Sequence, residues 1–214
     1  MAKAVIDYSL YLVTDQALLG GKQLPETVDR AIQGGVTVVQ LREKELSSLE
    51  FFQVARKIKT VTDKYGVPLI VNDRADIALA VDAAGLHVGQ ADLPVDVARQ
   101  LLGPDKIIGV SVATRAEAIL AAGQGADYLG VGAIFPTNTK TDADYVSLTD
   151  LAAIKQEVTI PVVAIGGING NNITKVMASG ADGAAVVSAI VAAQDPYKAA
   201  AALEKLVKGA ARTG

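Results

Sequence analysis

The stretch Gln40-Leu41-Arg42-Glu43-Lys44 places an amide and two cations at every second position. In an extended segment Gln40, Arg42 and Lys44 share one face, because side chains alternate across a strand. Such a face suits phosphate oxygens. Taken alone, the plainer reading is stronger: a solvated strand end balanced by Glu43 and Glu45. Val71-Asn72-Asp73-Arg74 and Gly89-Gln90-Ala91-Asp92 each set a carboxylate just past an apolar run. Two carboxylates near phosphate oxygens suit Mg2+, a hard ion usually held by one or two carboxylates with phosphate and water. A single Asp before an Ala-rich helix reads as its N-cap. The pair, beside Arg42 and Lys44, favours the metal.

Other segments carry weaker signals. Gly130 and Gly132 share a face of Tyr128-Leu-Gly-Val-Gly-Ala-Ile134 and would leave room for a flat ring, since glycine inside a strand often marks a close ligand approach. The loop after it, Phe135-Pro-Thr137-Asn-Thr139-Lys140-Thr141, gathers hydroxyls, an amide and an ammonium. Its composition alone is that of an ordinary loop, so position decides. Ile165-Gly166-Gly167-Ile168-Asn169 and Val186-Val187-Ser188 could supply backbone N–H groups to a phosphate, Gly167 and Ser188 above all. The alternative is turn glycines and an N-cap serine. His87 is the single histidine, so it cannot anchor a multi-histidine metal site. A lone imidazole on a buried strand is more often a hydrogen-bonded core group than a catalyst.

The elements that must position these groups follow from periodicity. Eight short apolar runs recur: Leu10–Asp15, Thr37–Glu43, Pro68–Asp73, Gly85–Gly89, Ile107–Ser111, Tyr128–Ile134, Val162–Gly167 and Gly183–Val187. Helical segments are expected near 25–34, 48–65, 74–82, 94–102, 114–123, 148–156, 171–178 and 196–208. Strands alternating with helices imply parallel pairing and right-handed crossovers. Eight of them favour closure into an α/β (β/α)8 TIM barrel. A dinucleotide-binding sheet would want a Gly-rich turn after its first strand, whereas Gln16-Ala-Leu-Leu19 follows here. No linker divides the chain, so residues 1–214 read as one domain. In such a barrel the functional groups sit at the C-terminal ends of the strands, with a recurrent phosphate site after strands seven and eight.

Composition narrows the function. Half of the residues are hydrophobic and only 4% aromatic, which predicts an aliphatic core. A net charge of −3 without clustered Lys or Arg gives no nucleic-acid footprint. With no cysteine there are no disulfides, thiolate nucleophiles or cysteine-based zinc sites. No apolar run reaches membrane-spanning length, and Met-Ala-Lys-Ala-Val-Ile-Asp shows no signal-peptide core. A cytoplasmic protein with small-molecule partners is expected, acting without nucleic acid or membrane. The oligomeric state stays open, a homo-oligomer included.

Taken in order, several motifs resemble thiamine phosphate synthase. They are Tyr11-Leu-Val-Thr-Asp15, Val39-Gln-Leu-Arg-Glu-Lys44, Val71-Asn-Asp-Arg74, His87-Val-Gly-Gln90, Gly109-Val-Ser111, Gly130-Val-Gly-Ala-Ile-Phe-Pro-Thr-Asn-Thr-Lys140, Ala164-Ile-Gly-Gly-Ile168 and Val187-Ser188. The resemblance implies a transferase of thiamine biosynthesis. It would condense 4-amino-2-methyl-5-hydroxymethylpyrimidine diphosphate with 4-methyl-5-(2-phosphooxyethyl)thiazole, by Mg-assisted dissociative loss of pyrophosphate. It further implies that Arg42, Lys44, Asn72 and Lys140 hold the diphosphate and that Asp73 and Asp92 bind Mg2+. Gln40 and Ser111 would meet the pyrimidine, with His87 nearby. Thr137, Thr139, Gly167 and Ser188 would hold the thiazole phosphate, and Val187 is implied as a further substrate-binding residue. Arg42, Lys44, Lys140 and Ser111 form the implied catalytic set, and the 135–145 loop the implied lid.

Two positions depart from the family pattern: Ala91, where an acidic residue is usual, and Ala113, where a histidine is common. The related thiazole tautomerase would need a base at the second of these positions, so Ala113 speaks against it. A sugar-phosphate epimerase lacks the histidines expected of its metal centre. A non-catalytic sensor of thiamine phosphates would need neither both aspartates nor Lys140.

Overall fold

The apolar runs form eight short strands that close on themselves. The computed structural model describes residues 5–137 and 145–211. The strands are β1 (Leu10–Val13), β2 (Val38–Leu41), β3 (Leu69–Asn72), β4 (Gly85–Val88), β5 (Ile107–Val112), β6 (Tyr128–Val131), β7 (Val162–Ile165) and β8 (Gly183–Val186). All pair in parallel in chain order, and β8 returns to β1, giving a closed barrel. Most runs leave the ladder earlier than the apolar pattern suggests. Asp73 has φ 62°, and Gly166 and Gly167 have φ 102° and 62°, so the chain turns out of the extended conformation there. Those departing residues form the rim.

Around the barrel lie α1 (Leu24–Gln33), α2 (Ser48–Tyr65), α3 (Ala75–Ala80), α4 (Val95–Leu102), α5 (Arg115–Gly123), α6 (Leu148–Glu157), α7 (Ile173–Ala178), α8 (Ser188–Val191) and α9 (Pro196–Ala211). The periodic pattern misses only the single-turn α8 and a 3₁₀ turn at Gln16–Leu18, both too short to show a helical period. The long helices start where local chemistry allows. Ser47 with Glu50, and Thr114 with Glu117, form reciprocal caps that satisfy the first N–H groups of α2 and α5. Among the described residues no helix is long and apolar enough to cross a membrane.

Alternation along each strand sorts the side chains into two layers. Leu10, Leu12, Val39, Leu41, Val71, Leu86, Ile108 and Leu129 face outward into one aliphatic cluster with the helices. Tyr11, Val13, Val38, Ile70, Ile107, Tyr128 and Val163 face inward with Tyr8 beneath them. The aliphatic expectation therefore holds for the outer layer and only in part for the inner one, where tyrosines join Val13, Val38, Ile70, Ile107 and Val163. Three tyrosines fill the barrel's centre, and Gly109 makes room for one of them. A Cβ at Gly109 would lie 2.1 Å from Tyr128 Cζ.

Candidate active site

The inward positions above the tyrosines are polar: Gln40 on β2, Asn72 on β3, His87 on β4 and Ser111 on β5. They open into a cavity of about 190 Å³ at the C-terminal ends of the strands. The cavity is also lined by Arg42, Lys44, Asp73, Asp92, Thr137, Gly167, Val187 and Ser188. All the expected site residues that are described thus share one mouth. Thr139 and Lys140 lie outside the described residues, as does most of the expected lid.

Arg42 follows β2 immediately. Its N–H donates to Thr14 Oγ1 at 3.1 Å, and Thr14 is fully buried at the end of β1. Among the described residues its guanidinium forms no ion pair, so its charge is available to an anion. Lys44 is paired with Asp73, whose own N–H donates to the His87 carbonyl at 2.9 Å. Asp92 accepts from the Gly89 N–H at 2.7 Å, which closes the turn after β4. Neither aspartate caps a helix: α3 and α4 begin after Arg74 and Pro94, without a side-chain cap. The capping alternative therefore does not account for the pair.

Burial raises the Asp73 carboxyl above the usual carboxylate range; Lys44 pulls it down and the neighbouring Asp92 carboxylate pushes it up again. Two like charges crowd one spot, and a cation there would relieve them. Among the described residues no group of three or more His, Cys, Asp or Glu is gathered for a metal. The donor set is two hard carboxylates, which matches an ion completed by phosphate and water.

The ring pocket needs one correction. A Cβ at Gly130 would lie 3.1 Å from His87 Cε1, so this glycine does open the interior. At Gly132 the Cβ would lie 2.0 Å from the Ile165 carbonyl oxygen. The chain has left β6 by then: Gly132 still lines the cavity, but a side chain there would meet the backbone of β7 rather than empty space. Gly167 packs under the loop after β6, with 2.6 Å left between a Cβ there and the Pro136 oxygen. The Asn169 and Asn172 amides donate to its carbonyl at 3.2 and 3.0 Å. Ser188 is the first residue of α8, not its cap.

Sequence reasoning missed Thr14, Tyr11 and Tyr128. The tyrosines link the polar groups. Gln40 Nε2 donates to Tyr11 Oη at 2.9 Å, and Tyr11 Oη lies 2.7 Å from Tyr128 Oη. Tyr128 Oη lies 2.8 Å from His87 Nδ1, and His87 Nε2 lies 2.9 Å from Ser111 Oγ. The available signal was phase: Tyr128 is two residues before Gly130 and so shares its inward face.

A family model described as thiamine monophosphate synthase matches residues 10–190. The chain belongs to the thiamine monophosphate synthase family. It is 55% identical to the thiamine-phosphate synthase of Alkaliphilus oremlandii, over 95% of this chain and 97% of that one. Against the thiamine-phosphate synthase of Ruminiclostridium cellulolyticum it is 56% identical, over 96% and 97%. A solved structure titled thiamine phosphate pyrophosphorylase from Pyrococcus furiosus superposes with a TM-score of 0.89 at 42% identity, covering 95% of this chain and 97% of that one. The expected barrel and transferase class stand, and these relatives carry synthase names rather than the tautomerase's.

Proposed function

We propose that the cavity joins the aminopyrimidine diphosphate to the thiazole phosphate, with residues 1–214 acting as one barrel domain. The supporting observation is the gathering of Arg42, Lys44, Asn72, Asp73 and Asp92 at one mouth with Gly167, Val187 and Ser188. Cations and carboxylates balance there among the described residues, so a diphosphate would bring negative charge that needs more positive charge. Asp73 and Asp92 would hold Mg2+, which when bound supplies that charge to the leaving group.

In the reaction the thiazole nitrogen lone pair forms the new N–C bond at the pyrimidine methylene. The C–O bond to the diphosphate breaks, and its electron pair leaves with pyrophosphate. No proton moves in this exchange, so no general base is required. Arg42 and Lys44 face the charge that develops on the leaving oxygens, and Asn72 adds a hydrogen-bond donor. Lys140 keeps the same role by motif. Gln40 and Ser111 meet the pyrimidine, whose amino group can spread positive charge and allow the C–O bond to break first. The apolar walls Val163, Ile165 and Ala185 restrict water that would quench such a cation. Gly167, Val187, Ser188, Thr137 and Thr139 take the thiazole phosphate.

The test mixes both substrates with Mg2+ and follows pyrophosphate and thiamine phosphate. Equal formation of the two is expected, and it should stop when the metal is chelated. Tight binding of both substrates without turnover would overturn the reading in favour of a sensor.

A further inference from the structure

The barrel's centre contains more order than a substrate pocket requires. Five side chains from five strands form an unbroken hydrogen-bond chain: Gln40, Tyr11, Tyr128, His87 and Ser111. Both tyrosines are fully buried, and burial keeps their hydroxyl protons far above the ordinary phenol range, so each carries one proton to place. A buried hydroxyl left without an acceptor is costly.

The protons can therefore be followed one by one. Gln40 Nε2 donates to Tyr11, so the Tyr11 proton goes on to Tyr128 Oη, 2.7 Å away. The Tyr128 proton goes on to His87 Nδ1 at 2.8 Å. A neutral imidazole that accepts at Nδ1 carries its hydrogen on Nε2, which donates to Ser111 Oγ at 2.9 Å. Ser111 then turns its own proton towards the cavity, and Gln40 keeps its carbonyl oxygen as an acceptor there. Reversing any one link obliges the others to reverse with it.

We propose that Tyr11, Tyr128 and His87 are positioning residues that lock Gln40 and Ser111 into opposite roles, acceptor and donor, at the two ends of one directional chain. The inference rests on the functional reading given above, because its ligand is the pyrimidine ring. The locked ends match a ring that offers an exocyclic N–H and a bare ring nitrogen, as an aminopyrimidine does. An oxo-pyrimidine offers a carbonyl and a ring N–H, so the chain selects against it.

His87 is the only histidine, so 15N-histidine labelling reports its tautomer in the NMR spectrum without assignment. The wild type should show Nε2 protonated and Nδ1 bare. Tyr128→Phe removes the donor to Nδ1 and should give averaged signals of both tautomers, whereas Tyr11→Phe frees Gln40 but leaves Nδ1 to accept the Tyr128 proton, so the Nε2-protonated pattern should persist. Tyr8→Phe is the control. Its ring packs 4.8 Å from that of Tyr128, but its hydroxyl is outside the chain, so the wild-type pattern should persist. In steady state, Tyr128→Phe should raise KM for the pyrimidine diphosphate about tenfold, the effect of one lost hydrogen bond, and leave KM for the thiazole phosphate unchanged. An Nδ1-protonated wild type, a pattern indifferent to Tyr128→Phe, or equal rises in both KM values would overturn the proposal. Failure of the wild type to form thiamine phosphate would sink the functional reading instead, and the tautomer measurement would still judge the chain.

Discussion

Two glycines two residues apart should fail in opposite ways when replaced by alanine. At Gly130 the added Cβ would lie 3.1 Å from His87 Cε1 and 3.5 Å from Nε2, at a side chain that can give by a few tenths of an ångström. The cost should stay near or below about 1 kcal/mol, the low end for overpacking. That corresponds to a Tm loss of about 2–4 °C in a chain of this size. The ring shift stretches the 2.9 Å contact between His87 and Ser111, so KM for the pyrimidine diphosphate should rise about three- to tenfold, a fraction of a hydrogen bond up to one whole. At Gly132 the Cβ would lie 2.0 Å from the Ile165 carbonyl oxygen and 2.9 Å from its Cγ2. Backbone at the end of β7 cannot swing aside without breaking its pairing with β8. About 3 kcal/mol or more is expected, at the upper end for overpacking, or about 6–12 °C in Tm. Thermal melts of both variants, with steady-state kinetics for whichever stays folded, separate the cases. A Gly132→Ala protein that melts within 2–4 °C of wild type, about the shift of 1 kcal/mol, would refute the close-approach argument. A Gly130→Ala protein with unchanged KM would remove that residue from the ring pocket.

Arg42→Ala and Lys44→Ala should each lower kcat by about 10²–10³, the scale of a lost transition-state donor, with Tm preserved; less than tenfold in both would discard the leaving-group role. Thr14→Val removes the acceptor of the Arg42 N–H and should cost about 1 kcal/mol, and pyrophosphate inhibition should weaken with it; unaltered inhibition would detach Thr14 from the site. The Asp73 carboxyl is raised in the folded protein, so the native state holds that proton more tightly than the unfolded chain. Ionisation then costs stability, fully so above the folded pKa and not at all below the unfolded one. Asp73→Asn should therefore raise Tm at pH 7 in chelator, and the gain should fade as the pH falls through the carboxylate range, even as the Mg2+ needed for turnover rises; a lower Tm at pH 7 would contradict the crowding of Asp73 and Asp92.

The barrel was legible because its signal is repeated eight times, and each apolar run only had to be recognised as a strand. The limits of each strand were less so. Asn72 and Ile165 end their strands where Asp73 and Gly166 take a positive φ, a backbone turn that the apolar pattern alone does not mark. The rim residues were legible because alternation and strand ends together dictate position: Gln40, Arg42 and Lys44 needed only the phase of β2. Thr14 was hidden because its hydroxyl serves a backbone N–H across a strand pair, a contact between residues 28 apart. Tyr11 and Tyr128 were hidden by a compositional argument, since a low aromatic content says how many rings exist but not where they lie. Gly132 was misjudged because strand phase was carried past the point where β6 ends at Val131.

The strands divide stability and chemistry between their two faces. The outward face is aliphatic and packs against helices, so it can tolerate a polar interior without losing the fold. Inside, most of that polarity is already satisfied: the tyrosines, His87, Gln40 and Ser111 bond one another and cost little beyond their desolvation. Asp73 and Asp92 are different, because the Lys44 ammonium is shared with a carboxylate that burial and a like charge both oppose. The unrelieved electrostatic cost therefore sits at the mouth, beside Arg42, rather than in the centre. A cation arriving at that point would relieve this cost, and together with Arg42 it would give the rim the positive charge that favours a departing anion over a neutral ring.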